Sequence, residues 1–409
     1  MITNKSKEEM EIFIKEYMPI KKAEKKQFGE VFTPLHLINS MLDTFPKELF
    51  ENPNLKWLDP TAGIGNFMIE IYYRLMVSLK IWEPDIEKRS NHILENMLYM
   101  IEINENNVKI CKNIFVNKET NKTNIICKDF LSNEDNTNNL HFDIIVGNPP
   151  FQDKPGKGGK NKLYEKIICK CLDILNTNSY LLFLVPDNLF SGNSSKTYLK
   201  LLNYSLHYID FRQQITDVFH GIQQKICCFL LEKKDFTTNL LTNIYSDNSN
   251  TNLSIPIQLM NRPINPIRNW NLKTEIWFQK YITLTKNSNV VYNRGLSLEN
   301  YNKNNDNYYT LIYTLTKKLY TNDIKLAKGF GKKKIIFFLI SIKGEYFIDW
   351  KGEYGVGPNT IFISFEKEEE GLKLDIFFKS NEYKNALYAC KTSRQFIKIG
   401  LLQYLHIEY

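Results

Sequence analysis

Residues Phe142 to Phe151 read F-D-I-I-V-G-N-P-P-F, an apolar run that ends in a polar, proline-rich turn. The run from Phe142 to Val146 predicts a short strand that is buried on both faces, as in a parallel sheet. Pro149 and Pro150 lack a backbone N–H and make the turn stiff and extended. Because open α/β sheets bind ligands just beyond the carboxyl ends of their strands, this turn is well placed for chemistry.

The turn offers hydrogen-bond acceptors and an aromatic face. The Asn148 side chain can supply a carbonyl oxygen, and the proline residues leave backbone carbonyls free to accept. Two convergent acceptors suit an exocyclic amine, while Phe151 offers a face to a flat ring. Acceptors that draw on the N–H bonds of an aryl amine favour its tetrahedral, nucleophilic form, which develops toward the transition state. A turn that merely ends a core strand is the alternative for this motif alone.

A second motif lies upstream, where Asp59 to Phe67 reads D-P-T-A-G-I-G-N-F between an apolar run and a long apolar helix. The order of strand, glycine turn and helix indicates a ligand-binding loop, since Gly63 and Gly65 let the backbone turn sharply and approach a ligand closely. The motif lacks the third glycine of the dinucleotide fingerprint. A carboxylate at Asp59 suits a ligand with an amino group or a sulfonium centre better than it suits a pyrophosphate.

Two further predicted strands end in acidic residues. The segment from Met97 to Ile103 predicts a strand that delivers Glu102, which is placed to accept both hydroxyls of a ribose. The segment from Asn124 to Cys127 predicts another strand, followed by Asp129 and Phe130, where an adenine ring could lie. Each acid alone is more often a solvated loop residue, but four successive strands that end in complementary groups indicate one binding crevice.

The chain of 409 residues exceeds one typical hydrophobic core, and its formal charge of +8 favours a polyanionic partner. Its seven cysteines include no C-x-x-C pair, which favours buried, reduced thiols of a cytosolic or nuclear protein over disulfides or zinc ligands, and we expect the cytoplasm. No apolar segment approaches membrane-spanning length. We expect a helical segment in residues 1–28, a doubly wound α/β domain in residues 29–236 and an α+β domain in residues 237–409, after a junction rich in Asn, Thr and Ser.

Several other residues allow more than one interpretation. Lys5 to Gln27 predicts an exposed amphipathic helix, and Thr33 is expected to cap a helix that begins at Pro34. Phe219 could close the second side of a flat ring or pack in the core. Two lysine groups suit either phosphate contacts or solvated turns: Lys154, Lys157 and Lys160 in the loop after the proline-rich turn, and Lys332, Lys333 and Lys334 in the second domain.

Taken in order, these motifs resemble the amino-directed DNA methyltransferases that use S-adenosylmethionine, in the γ arrangement of the adenine-N6 type. The resemblance covers roughly residues 27 to 235 and begins with G-E-V-F-T-P at Gly29 to Pro34, which is similar to the family's N-terminal cofactor motif. It implies a Rossmann-like methyltransferase sheet. The C-terminal third matches no named motif, and we expect it to be a target-recognition domain from its position and composition alone. The resemblance implies a cofactor site made of Thr33, Pro34, Asp59, Thr61, Ala62, Gly63, Gly65, Glu102, Ile103, Asp129, Phe130 and Asn148.

The resemblance also implies a reaction. The stretch Asn148, Pro149, Pro150, Phe151 is similar to the family's catalytic N-P-P-[FY] motif, in which the asparagine side chain and the first proline carbonyl bind the target N6 amine. Phe151 and Phe219 would then stack on the two faces of an adenine that is flipped out of double-stranded DNA. The methyl group would pass directly from the sulfonium to N6, with no metal, and the enzyme would be a monomer or homodimer.

Other functions remain open from the sequence. An RNA-base or protein-glutamine N-methyltransferase on the same fold is the nearest rival, because N-P-P-[FY] also occurs in such enzymes. A catalytically silent DNA-binding protein is a different class, which the intact acids and the intact N-P-P-F argue against. A fused restriction enzyme is disfavoured because no nuclease motif is evident. The F-T-P motif and the large C-terminal extension favour DNA as the substrate.

Overall fold

The structure is a computed structural model that describes residues 2–17, 33–116, 122–132, 140–151, 162–192, 195–219, 224–235, 240–247, 252–294, 298, 301, 309–339, 344–390 and 399–407. The chain divides into two compact units. The first unit consists of Met1–Leu189, Lys196–Ile244 and Ser254–Gln258, and the second consists of Phe190–Ser195, Tyr245–Leu253 and Leu259–Tyr409.

A nine-stranded sheet organises the first unit. Its strands are β1 (Trp57–Asp59), β2 (Leu98–Glu102), β3 (Asn124–Cys127), β4 (Phe142–Gly147), β5 (Leu175–Pro186), β6 (Tyr204–Asp210), β7 (Ile226–Asp235), β8 (Leu241–Tyr245) and β9 (Leu253–Pro256). They lie in the order β3-β2-β1-β4-β5-β7-β6-β8-β9. Strands β1 to β5 run parallel, whereas β7 runs antiparallel to both β5 and β6. The predicted α/β fold with a large central sheet is confirmed.

The order of the parallel strands reverses at β1 and β4. Leu58 of β1 pairs with Tyr99 of β2 on one side and with Ile145 of β4 on the other. In open α/β sheets such a reversal opens a crevice at the carboxyl ends of the strands, where ligands bind. Asp59 ends β1 and Asn148 directly follows β4, so the topology brings both residues to this crevice.

The central strands are buried on both faces, as the sequence predicts. Trp57, Leu58, Ile144, Ile145 and Val146 have no accessible surface, which is typical of a parallel sheet covered by helices. The helices described in this unit are α1 (Lys7–Tyr17), α2 (Leu35–Leu42), α3 (Glu48–Glu51), α4 (Asn66–Ser78), α5 (Ile86–His92), α6 (Glu105–Phe115), α7 (Leu163–Ile174), α8 (Lys196–Leu201) and α9 (Gln213–Asp217).

Helix α1 is less exposed than the sequence predicts. Met10 and Ile14 are buried in the core of the first unit, and Lys7 forms a 2.7 Å ion pair with the fully buried Glu70 of α4. The apolar side of this helix therefore belongs to the core of the first unit. The remainder of the predicted helix, in residues 18–27, lies outside the described residues.

The second unit is an α+β structure. A four-stranded sheet in the order β10-β16-β13-β14 and a three-stranded sheet in the order β12-β11-β15 form its strands. These are β10 (Val290–Asn293), β11 (Tyr309–Ile312), β12 (Lys318–Thr321), β13 (Lys334–Phe338), β14 (Tyr346–Asp349), β15 (Gly355–Val356) and β16 (Thr360–Ser364). Its helices are α10 (Leu272–Tyr281), α11 (Glu368–Lys379), α12 (Asn381–Ala389) and α13 (Ile399–Gln403). Across the described part of the chain, no helix combines the length and apolar character that crossing a membrane requires.

Candidate active site

The proline-rich turn after β4 contacts the start of α2. The Asn148 side chain donates a hydrogen bond through Nδ2 to Thr33 Oγ1 at 3.2 Å. Pro149 is buried and Pro150 is exposed, so the turn emerges from the sheet at the first proline and reaches the surface at the second. Because the Asn148 amide nitrogen is turned toward Thr33, the amide oxygen is the atom that can serve as an acceptor for an amine.

Thr33 does not cap helix α2 as the sequence predicts. Pro34 occupies the N-cap position in an extended conformation, and the cap makes no side-chain hydrogen bond. The Thr33 hydroxyl instead accepts from Asn148, while the Thr33 carbonyl accepts from Asn66 Nδ2 at 3.0 Å. The prediction was wrong because it considered only the helix that follows, whereas Thr33 is recruited by residues distant in the sequence.

Asp59 lies beneath the turn, in the interior of the protein. Its carboxylate is 1% exposed, and its Oδ1 accepts a hydrogen bond from the Thr61 backbone N–H at 3.0 Å. A Cβ placed on Gly147 would come within 3.0 Å of the same oxygen, so a glycine at the end of β4 permits the close approach. Burial raises the pKa of Asp59 to about 8; the Thr61 N–H opposes this rise and the nearby Glu102 adds to it.

The Thr61 hydroxyl is a second polar group at the end of β1 that is available to a ligand. It is buried, and it has no hydrogen-bond partner among the residues that the structure describes. Buried polar groups in proteins are nearly always hydrogen-bonded. A buried hydroxyl beside a buried carboxyl therefore fits a ligand that brings a polar head, such as an amino acid group, to the end of β1.

Glu102 connects the glycine turn to the end of β2. Its Oε2 accepts from the Gly63 N–H and its Oε1 accepts from the Asn104 N–H, each at 2.7 Å. The Ala62 N–H donates to the carbonyl of the residue before Glu102 at 2.9 Å, so the turn is held to β2 at two places. The next residue, Ile103, is 65% exposed and offers an apolar surface directly beside the carboxylate.

Both glycines of this turn have a backbone conformation that favours glycine, and Gly65 is also required by close packing. Gly63 has φ +57° and Gly65 has φ +88°, a region that residues with a side chain rarely adopt. A Cβ on Gly65 would also lie 2.7 Å from the ring of Phe115 in α6. Glycine is therefore needed both for the turn and for the close packing of α4 against α6.

Asp129 and Phe130 follow β3 and differ in exposure. Asp129 is exposed, and its Oδ1 accepts from the Leu131 N–H at 2.9 Å. Phe130 is buried, with Lys170 Nζ 5.2 Å from the centre of its ring. The predicted contact of Phe130 with an adenine stays a prediction, and Asp129 is the accessible member of the pair.

The two aromatic residues predicted to hold a flipped base lie in different surroundings. Phe151 is partly buried and meets Tyr164 edge-on, with 6.4 Å between ring centres. The Tyr164 hydroxyl donates to Asn188 Oδ1 at 3.2 Å, which connects Phe151 to the end of β5. Phe219 is only 3% exposed and packs in the core, so the structure shows its packing role, and base stacking by Phe219 stays a prediction.

The structure describes only one of the two lysine groups that the sequence predicts to contact phosphates. Lys154, Lys157 and Lys160 lie outside the described residues. In the second unit Lys332 is exposed and Lys333 is partly exposed, whereas Lys334 has no accessible surface. The Lys334 ammonium forms an ion pair with Asp349 and donates to the Lys332 carbonyl at 2.8 Å. The prediction that Lys334 contacts DNA is therefore wrong, because its charge is already neutralised inside the second unit.

The sequence interpretation missed three residues of the site: Asn66, Tyr164 and Asn188. Asn66 directly follows Gly65 in the quoted glycine motif, so its position at the start of α4 could have suggested a polar contact. Asn188 follows a strand that ends beside β4, which the same reasoning about strand ends would have included. Tyr164 carries no sequence signal, since its role depends on the side chains that it meets.

A mixed sheet with buried acids and a glycine turn at the carboxyl ends of its parallel strands defines an α/β protein, and in such sheets this edge is where ligands bind. No group of His, Cys, Asp or Glu side chains suited to a metal ion occurs among the described residues. The chain belongs to the N-6 DNA Methylase family, whose pattern it matches over residues 10–314.

Two curated relatives support this assignment. The chain is 26% identical to an uncharacterized adenine-specific methylase of Mycoplasma pneumoniae, over 38% of this chain and 54% of that protein. It is 27% identical to the Type II methyltransferase M.VspI of Vibrio sp., over 51% of this chain and 49% of that protein. The aligned part thus spans about half the length of these relatives.

Solved structures agree in fold. A nuclease-deletion mutant of the Type ISP restriction-modification enzyme LlaGI, in complex with a DNA substrate mimic, aligns with 97% of this chain and 47% of its own, with 12% identity and a TM-score of 0.60. The Type IIL restriction-modification enzyme MmeI in complex with DNA aligns with 95% of this chain and 66% of its own, with 13% identity and a TM-score of 0.54. At such low identity the likeness concerns the fold.

Proposed function

We propose that this protein is a site-specific DNA methyltransferase that transfers a methyl group from S-adenosylmethionine to the N6 amine of an adenine in duplex DNA. The observation that carries the proposal is the position of Thr33, which hydrogen-bonds Asn148 through its hydroxyl and Asn66 through its carbonyl. One residue thereby joins the proline-rich turn to the helix that follows the glycine turn. Membership of the N-6 DNA Methylase family supports the same conclusion.

The residues at the ends of β1 and β2 fit the cofactor. The amino acid group of S-adenosylmethionine matches the buried Asp59 carboxyl and the buried Thr61 hydroxyl. The Glu102 carboxylate suits its ribose hydroxyls, and the exposed Ile103 suits an apolar face of its adenine. When bound, the cofactor supplies an electrophilic methyl group on a sulfonium centre.

The chain's own contribution to the reaction lies in the turn after β4. We expect the Asn148 amide oxygen and the Pro149 carbonyl to accept hydrogen bonds from the target N6 amine. Both acceptors favour the tetrahedral nitrogen more strongly as positive charge develops there, so they stabilise the transition state more than the bound substrate. The stiffness of Pro149 and Pro150 keeps these acceptors in place, and positioning of two reactants is a principal source of rate.

The target adenine has to leave the duplex to reach this turn. Extrusion costs a few kcal/mol, which stacking on an aromatic ring at roughly 1–3 kcal/mol per base can offset. We propose that Phe151 provides this ring and that Tyr164, which meets it edge-on and is fixed by Asn188, holds the ring at its angle.

We further propose that residues 237–409 form the target-recognition domain and bind duplex DNA. The exposed Lys332 and the partly exposed Lys333 are suited to phosphate contacts, and Lys154, Lys157 and Lys160 are proposed for the same role near the turn. A protein with this function would act where the DNA is kept, which is the cytoplasm in a bacterial cell.

Sequencing of modified bases tests the function directly. The chain would be expressed in a host that lacks adenine methylation, beside a matched Asn148→Ala variant, and the genomic DNA would be read for N6-methyladenine. We expect methylation of one short sequence motif with the wild-type chain and a strong loss with the variant. Purified protein that methylates RNA oligonucleotides or glutamine peptides as well as DNA would refute the substrate class. Absence of both methylation and cofactor binding would indicate a silent DNA-binding protein.

A further inference from the structure

A loop of the second unit presents an aromatic ring to solvent between lysines. Residues Lys328 to Lys333 read K-G-F-G-K-K, and we call them the Phe330 loop. Phe330 is 39% exposed and lies in the turns between β12 and β13. Its two neighbours, Gly329 and Gly331, have φ +73° and +80°. The backbone therefore turns on each side of the ring and projects it outward.

The loop is held in place by backbone hydrogen bonds. The Phe330 N–H donates to the Ala327 carbonyl at 3.1 Å, and the Gly331 N–H donates to the Gly352 carbonyl at 2.8 Å. The Phe330 ring also meets Tyr309 edge-on, with 4.8 Å between ring centres. A projecting side chain on a braced loop loses little conformational freedom when it binds, so the loop is preorganised for a contact.

The buried ion pair of Lys334 and Asp349 supports the loop from below. The two residues lie directly opposite each other in β13 and β14. Lys334 Nζ holds the Lys332 carbonyl, and the Asp349 carboxylate accepts from the Gly352 N–H at 2.8 Å. A Cβ on Gly352 would lie 2.8 Å from the backbone of Gly331, so the two turns pack backbone against backbone.

The charged side chains of the loop itself are all lysines, whereas the exposed acids Asp323 and Glu353 lie shortly before the loop and in the turn that contacts it. The stretch from Ile324 to Lys334 contains five lysines and no acidic residue. Lys325, Lys328 and Lys332 are exposed, as is Lys351 in the turn that contacts the loop. The glycine at position 331 is explained by its backbone conformation alone. Steric crowding does not require it, because a Cβ on Gly331 would meet nothing within 4 Å.

We propose that the Phe330 loop binds duplex DNA, with its lysines on phosphates and the Phe330 ring inserted as an apolar wedge at a base step. The inference rests on the proposed function and adds a specific contact to it. Apolar side chains that enter a duplex unstack the bases partly and bend the DNA, while lysines on either side neutralise the phosphates. The loop combines both elements on a rigid support.

The test measures the binding of Phe330→Ala, Phe330→Trp and Lys328→Gln to a duplex that carries the methylated motif found by sequencing. Binding is followed by fluorescence anisotropy across a range of salt concentrations, and unstacking by 2-aminopurine placed at successive base steps. The matched control is Ile376→Ala, which removes another exposed apolar side chain from a helix whose first turn carries three glutamates. Thermal unfolding verifies that each variant is folded.

We expect Phe330→Ala to weaken binding about tenfold at every salt concentration and to abolish the unstacking signal, since base–aromatic stacking is worth that much. Phe330→Trp should retain the signal. Lys328→Gln should instead flatten the salt dependence by about one unit, and Ile376→Ala should behave as the wild type.

Wild-type binding and unstacking by a folded Phe330→Ala protein would overturn the proposal. The proposal would also be overturned if the wild-type protein bound phosphatidylserine vesicles and the loop variants bound DNA normally. These two results together would indicate an anionic membrane surface as the partner of the loop. Failure of the wild-type chain to methylate DNA would refute the proposed function, whereas normal methylation with an unaffected Phe330→Ala variant would refute only the wedge.

Discussion

The buried Asp59 makes a prediction about pH that can be worked through in full. In the folded protein burial raises the pKa of this carboxyl from its ordinary value of 3.8 to about 8. The folded state therefore retains a proton between these values that the unfolded state has lost. The stability that the protonated Asp59 contributes is therefore complete below about pH 4. It is lost progressively as the pH rises to about 8. The change Asp59→Asn removes this titration and keeps an oxygen that can accept from the Thr61 N–H.

The magnitude follows from the pKa difference. One proton bound only by the folded state changes the free energy of unfolding by about 1.4 kcal/mol per pH unit. Between about pH 5 and about pH 8 the wild-type protein should therefore lose at most about 4 kcal/mol relative to Asp59→Asn.

The assay is urea unfolding of the ligand-free protein at several pH values across this range. Asp129→Asn is the matched control, because it makes the same chemical change at an exposed carboxylate after β3. The difference in unfolding free energy between Asp59→Asn and wild type should grow with pH and should exceed the difference for the control. A difference for Asp59 that does not change with pH would refute the reasoning.

Cofactor binding supplies a second readout of the same prediction. An ammonium group beside Asp59 favours the ionised carboxylate, so S-adenosylmethionine should bind with release of a proton at neutral pH. Calorimetry in buffers with different ionisation enthalpies measures this release, and Asp59→Asn should eliminate it. Equal binding enthalpies of the wild-type protein in all buffers would show that no proton is released.

Four other changes test the site and the proposed DNA contacts. Asn148→Ala should keep cofactor binding by calorimetry but slow methyl transfer about 100-fold, since the lost acceptor acts mainly in the transition state. Phe219→Leu should lower the free energy of unfolding by about 1 kcal/mol, because the ring lies in the core; a transfer defect in a fully folded variant would instead establish base stacking. Neutralising Lys332 and Lys333 should flatten the salt dependence of DNA binding, whereas Lys334→Gln should cost about 3 kcal/mol of stability by leaving its buried partner unpaired.

The sequence predicted the sheet well because the signals for it are local. Apolar runs mark the strands: β3 was predicted with its observed bounds, from Asn124 to Cys127, and the predicted strand from Phe142 to Val146 is one residue shorter than β4. Acids and the asparagine at the strand ends follow from the same pattern, since parallel strands bring their carboxyl ends to one edge. Each of these predictions needs only a few neighbouring residues.

The predictions that failed depend on residues far apart in the chain. Thr33 was expected to cap a helix, but its hydroxyl accepts from a residue 115 positions away. Lys334 ends a run of three lysines that looks uniformly exposed, and only the pairing of β13 with β14 sets it opposite Asp349. A run of like charges gives no indication that one of its members is directed inward by strand alternation.

The placement of Thr33 gives a physical reason for the far upstream position of the F-T-P motif. In-line transfer between two bound molecules requires that the donor and acceptor sites keep a fixed separation. The glycine turn and the proline-rich turn end different strands, so each could shift with its own loop. Thr33 contacts Asn66 behind the first turn and Asn148 in the second, and the adjacent Pro34 has an extended backbone. We therefore infer that Thr33, which lies outside both loops, helps to hold them at a fixed distance.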